Sequence, residues 1–156
     1  MRRATLLILS LLALPAAAGD SRMPAQVNAT WKEECGSCHV AYPPSLLTAA
    51  NWRQMMSHLD RHLGANAQLD AKTRDEILAF LETNASRKER KHSAASLRIT
   101  DTPWFVKEHD EVPATLWKDA RVKSAANCAA CHREAERGDY SERTLVLPGA
   151  SRRADK

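Results

Sequence analysis

Apolar residues along this chain fall into short stretches divided by polar ones, and within most stretches the spacing is helical. The exception is Ala4–Leu14, a continuous apolar run between Met1-Arg2-Arg3 and Pro15-Ala16-Ala17-Ala18. Charged, apolar and small-residue regions in that order make a secretory leader. Eleven residues fall short of the about 20 that span a bilayer, so residues 1–18 are expected to be a signal peptide cleaved after Ala18. A polar lead, Gly19 to Thr30, then enters a short helix around Cys35.

From Pro44 to Gly64 the pattern reads as one helix, capped internally at Asn51 with Gln54 three residues on and ended by Gly64. Trp52, Met55, Met56, Leu59 and Leu63 recur at i, i+3, i+4, i+7 and i+11, a single apolar stripe. Asp70 is an N-cap for a third helix running to Asn84, with Ile77, Leu78 and Leu81 on its inner face. Residues Arg87 to Ser96 are polar and charged, as in a linker. Thr102-Pro103 is an N-cap followed by Pro at the first helical position, opening a helix from Trp104 to Asp110. Later segments are poor in periodicity, and Ser141 to Lys156 reads as a flexible tail. The resulting division is a domain over residues 19–90, a smaller one over 91–140, and a tail over 141–156; the fold class is mainly α.

Composition sharpens this outline. The 156 residues include only eight large aromatics, four Trp, two Tyr and two Phe, a thin supply for a core that must bury about two thirds of the unfolded surface. A non-protein hydrophobe would fill the deficit. The formal charge of +4 falls to +2 once Arg2 and Arg3 leave with the signal. Arg87-Lys88-Glu89-Arg90-Lys91 is basic, but it contains an acid and no aromatic, so nucleic-acid binding is not expected.

All four cysteines lie in two copies of one pentapeptide, Cys35-Gly36-Ser37-Cys38-His39 and Cys128-Ala129-Ala130-Cys131-His132. C-x-x-C-H is the c-type haem attachment pattern: the thiols join the porphyrin and the adjacent His takes one side of the iron. One helical turn presents both sulfurs to one porphyrin edge, and the next residue reaches the metal. A shared zinc site would bring half-sites about 12–20 residues apart, not 93, and would not require His after each pair. Thioredoxin-like dithiols would need a βαβ context that is missing, and simple disulfide stapling would use neither histidine. The pattern therefore predicts two covalent haem c groups, whose carboxylates bring the holoprotein to a net charge of about −2.

Two irons have four axial positions, and His39 and His132 occupy two. For the others the chain offers His58, His62, His92 and His109, with Met23, Met55 and Met56 as thioether alternatives. On a helical wheel His62 lies nearer the apolar stripe than His58, and His109 follows Phe105 by one turn. Met55 and Met56 read better as core residues.

These segments are similar to the bacterial dihaem cytochrome c family of periplasmic electron carriers. The likeness is carried by Glu34-Cys35-Gly36-Ser37-Cys38-His39-Val40-Ala41-Tyr42-Pro43-Pro44, by Trp52-Arg53-Gln54-Met55-Met56 leading to His62-Leu63-Gly64, by Thr102-Pro103-Trp104-Phe105 with His109, and by Asn127-Cys128-Ala129-Ala130-Cys131-His132. The resemblance implies two low-spin, bis-histidine haems, with His62 preferred to His58 and His109 to His92. It implies an N-terminal helical domain like class I cytochrome c and an irregular C-terminal one. It also implies partners, an oxygen-binding monohaem cytochrome c and a membrane cytochrome b as donor. The expected activity is outer-sphere electron transfer by a monomer that does not span the membrane, which needs no catalytic base. The alternative is a haem enzyme or gas sensor with one iron left open.

Overall fold

The computed structural model describes residues 23–149; the leader expected over residues 1–18 and the last residues of the tail lie outside them. The described chain is helical, with only isolated β-bridges such as Thr48–Ser86. No described helix is long and apolar enough to cross a membrane.

Helix α1 (Ala29–Gly36) begins where Asn28 Oδ1 accepts the Trp31 amide at 2.7 Å, and it ends inside the first C-x-x-C-H motif. Helix α3 (Ala71–Thr83) begins as expected at Asp70, which accepts the Lys72 and Thr73 amides and the Thr73 hydroxyl. The Thr73 hydroxyl bond, with the amide bonds beside it, holds the Asp70 carboxyl below its ordinary pKa.

The single helix expected from Pro44 to Gly64 is three pieces. A 3-10 turn (Pro44–Leu46) precedes α2 (Ala49–Met56), and a second 3-10 turn (Leu59–Arg61) follows. Thr48, not Asn51, is the cap: its backbone is extended and its Oγ1 accepts the Asn51 amide at 3.3 Å. The helix stops because Ser57 and His58 both turn back on it. The Ser57 hydroxyl donates to Gln54 O, and His58 Nδ1 lies 3.0 Å from the same carbonyl. Leu63 and Gly64 then take positive φ, 51° and 105°, and reverse the chain. Leu63, the last member of the expected stripe, is consequently exposed.

Trp52, Met55 and Met56 remain on the buried face of α2 and close a core with Trp31, Leu47, Ile77 and Leu81. Trp31 meets Phe80 at 5.2 Å, and Trp52 donates its indole N–H to Pro44 O at 2.7 Å. Arg53 and Glu82 pair across α2 and α3 on the outer side. An exposed pair of this kind adds little; the apolar face holds the helices together.

Past α3, a short helix α4 (Glu89–His92) lies within the stretch read as a linker, and its His92 is fully buried, stacked at 5.3 Å on Trp104. Asn51 joins this stretch to α2: its side chain donates to Ala94 O and accepts the Ala94 amide, at 3.2 and 3.0 Å. Helix α5 (Pro103–Glu108) starts at the expected Thr102 cap, whose Oγ1 accepts the Phe105 amide at 3.1 Å. It ends two residues sooner than expected, with His109 as C-cap. Among the described residues beyond it, the helical elements are α6 (Ala114–Trp117) and 3-10 turns. Residues 141–149, read as tail, turn back on the second motif: the Val146 amide donates to Cys131 O at 2.9 Å, and Leu145 bridges His132.

Replacing Asn51 with Ala would leave the buried Ala94 amide without its partner, while Ala94 O keeps the Leu97 amide at 3.0 Å. We expect a loss of about 1–3 kcal/mol in the unfolding free energy of the haem-loaded protein in guanidinium. A change under about 0.5 kcal/mol would show that the pair bears no structural weight.

Candidate functional site

Each C-x-x-C-H motif is presented by a single turn. Cys35 is in the last turn of α1, and Cys38 and His39 follow its C-cap. Cys128–Ala130 form a 3-10 turn that ends in an α-type bond, the His132 amide donating to Cys128 O at 2.8 Å. None of the four cysteines is in a disulfide, and among the described residues they do not gather into one metal cluster. Burial, with the Glu34 carboxylate adding to it, raises the Cys35 thiol to about 11; burial raises Cys128 to about 11 as well.

The histidines fall into two pairs. The rings of His39 and His62 have centroids 6.2 Å apart and planes inclined by 22°. Those of His109 and His132 are also 6.2 Å apart, with planes at 80°. Imidazole nitrogen sits about 2.0–2.1 Å from a first-row metal ion and about 1.1 Å from its ring centre, so rings on opposite sides of one ion have centroids about 6.3 Å apart. Both pairs have the spacing of axial ligands to one iron.

The ring nitrogens agree. His39 Nδ1 lies 2.8 Å from Val40 O, and His109 Nδ1 lies 2.9 Å from Phe105 O. An Nδ1–H donated to a carbonyl leaves Nε2 with its lone pair. In His62 and His132, Nδ1 is buried without a hydrogen-bond partner, and Nε2 is not among the buried unpartnered atoms. Burial, followed by the neighbouring His39, lowers the pKa of His62; burial, followed by His109, lowers that of His132. The neutral imidazole so favoured is the form that binds metal. These residues fit two haems.

The other candidates are held by other contacts, although Met23 lines the cavity beside His39. His58 is exposed on the far side of the α2 terminus, its Nδ1 also 2.8 Å from the Ser57 hydroxyl. His92 is buried against Trp104. Met55 and Met56 are in the α2–α3 core, and Met23 presses on Gly138, where a Cβ would come within 2.0 Å of its Cγ.

Four aromatic residues to which the sequence alone assigned no role at the site pack against the paired rings. Tyr42 stacks on His39 at 4.7 Å, Phe105 on His109 at 4.0 Å, Trp117 stands 6.0 Å from His109, and Tyr140 packs 5.5 Å from His132. Only the spacings of Tyr42 three residues after His39, and of Phe105 four before His109, could have drawn attention to them. Tyr42 also joins the two motifs, donating its hydroxyl to Ala126 O at 2.6 Å. Burial, then the nearby Cys128 sulfur, pushes its pKa well above the usual tyrosine value. A cavity of about 810 Å³ is lined by Cys38 and His39 of one motif and Cys128 and Ala129 of the other, so the two attachment turns open on one space.

A family described as dihaem cytochrome c matches residues 31–140. No curated protein matches the chain. Among solved structures, the diheme cytochrome type c of Shewanella baltica OS155 is 36% identical, covering 78% of this chain and 94% of its own, with a TM-score of 0.69. A diheme cytochrome c of Rhodobacter sphaeroides is 38% identical over 71% of this chain and 94% of its own, with a TM-score of 0.64.

Tyr42→Phe keeps the stack on His39 and removes only the bond to Ala126. It is expected to lower the unfolding free energy by about 1 kcal/mol, read by denaturant titration at the Soret band. An unchanged midpoint and slope would show that the bond does not tie the two turns.

Proposed function

The chain belongs to the dihaem cytochrome c family, and from that premise we propose that it carries electrons in the periplasm between a membrane cytochrome b and an oxygen-binding monohaem cytochrome c. It is a dihaem cytochrome of the electron-transfer kind, with two haem c groups for which its cysteines form two C-x-x-C-H motifs. Each haem, when bound, supplies a one-electron ferric/ferrous couple.

In this reading Cys35 and Cys38 hold one haem and Cys128 and Cys131 the other, one in each of the units 19–90 and 91–140. His39 and His62 are axial to the first iron, and His132 and His109 to the second. The observation that carries the reading is the repeated 6.2 Å ring spacing: four imidazoles set two by two leave no iron position for a substrate.

The protein's part is then to position and to tune. A carbonyl accepting the Nδ1–H of His39 or His109 makes Nε2 a stronger donor, which favours the ferric state and lowers the potential. Tyr42, Phe105, Trp117 and Tyr140 pack against the rings and hold them. Because the ligands do not change with oxidation state, little must move when an electron arrives. The leader pattern of residues 1–18 supports export to the periplasm, and the family resemblance supports the two partners.

The test is the visible spectrum of reduced holoprotein with and without carbon monoxide. Low-spin haem that carbon monoxide leaves unchanged is expected. A shift of half the haem in the unaltered protein would overturn the ligation and favour an enzyme or gas sensor with one open iron. In His62→Gly or His109→Gly, by contrast, half of the haem should bind carbon monoxide, and His58→Gly should bind none.

A further inference from the structure

The two histidine pairs share one spacing but not one orientation. At the first, the planes of His39 and His62 are inclined by 22°; at the second, those of His109 and His132 are inclined by 80°. Each angle has a visible cause. His39 lies nearly flat on Tyr42, 20° from parallel at 4.7 Å, with Nδ1 held at Val40 O. His109 lies flat on Phe105, 18° from parallel at 4.0 Å, with Nδ1 held by Phe105 O and the Trp117 ring beyond it. Turning His109 into the plane of His132 would drive its edge into the Phe105 face and break the Nδ1 bond.

Ring orientation matters electronically. An imidazole's π orbital is perpendicular to its plane and raises the iron d orbital that lies along it. Parallel rings raise the same orbital, splitting the dπ pair and quenching the orbital moment. Crossed rings raise one orbital each, leaving the pair nearly degenerate and the moment large.

We propose that the two haems are electronically inequivalent, because Phe105 holds the His109 ring across that of His132 while Tyr42 holds the His39 ring nearly parallel to that of His62. Phe105 and Tyr42 are thus positioning residues that act on iron through a ligand. The proposal rests on the axial assignment given above.

The experiment is low-temperature electron paramagnetic resonance of oxidised holoprotein. Equal amounts of two low-spin species are expected, one rhombic and one highly anisotropic with a much larger maximal g. Phe105→Leu should shift the anisotropic signal to lower g and leave the rhombic one in place. Tyr42→Leu should alter only the rhombic signal, and Tyr42→Phe neither. Two identical rhombic signals in the unaltered protein would overturn the proposal, whether or not the variants fold. Near-infrared magnetic circular dichroism reads ligand identity regardless of ring angle. Bis-imidazole charge-transfer bands with two rhombic signals would therefore sink the orientation argument alone, whereas other bands would sink the axial assignment.

Discussion

The gap between paired imidazoles constrains nearly everything else in this protein. Rings whose centroids lie 6.2 Å apart do not touch, so each is fixed from behind and not by its partner. The chain does this with backbone carbonyls at Val40 and Phe105 and with aromatic faces at Tyr42, Phe105, Trp117 and Tyr140. The helices that carry these groups are short. Among the described residues, none in the second half exceeds the six residues of α5, so the rings are placed by turns and caps more than by helix axes.

The two halves meet this demand with different resources. Around the first motif, seven buried side chains from α1, α2, α3 and Leu47, just before the Thr48 cap, make a core. Around the second, burial is confined to a few residues such as Phe105, Val122 and Ala135. A segment of that size buries too little apolar surface to stand alone, so porphyrin, the Tyr42 bond and the Asn51–Ala94 pairing supply what packing cannot. That is the structural meaning of the chain's shortage of aromatic residues.

Much of this was legible in the residues. Caps at Asp70 and Thr102 are local chemistry and were found where expected, as were the attachment pattern and the helical class. The Pro44–Gly64 segment misled because a continuous stripe was extended through Ser57 and His58, whose side chains bind the preceding carbonyl and end the helix. His62 was favoured on a helical wheel, yet it sits beyond the helix, at the end of a 3-10 turn; its place beside His39 comes from the reversal at Leu63 and Gly64. Asn51 with Ala94 and Tyr42 with Ala126 were out of reach, since partners 43 and 84 residues apart leave no local signal.

The burial of the leading cysteine of each motif bears on the order of assembly. Burial raises both thiols well above the ordinary cysteine range, and so disfavours the thiolate, the form that reacts. A chain that reached this fold early would be sheltered from disulfide closure, and equally closed to porphyrin attachment. Attachment would therefore run more readily while these two thiols are still open to water, and folding would then shelter the bonds once made.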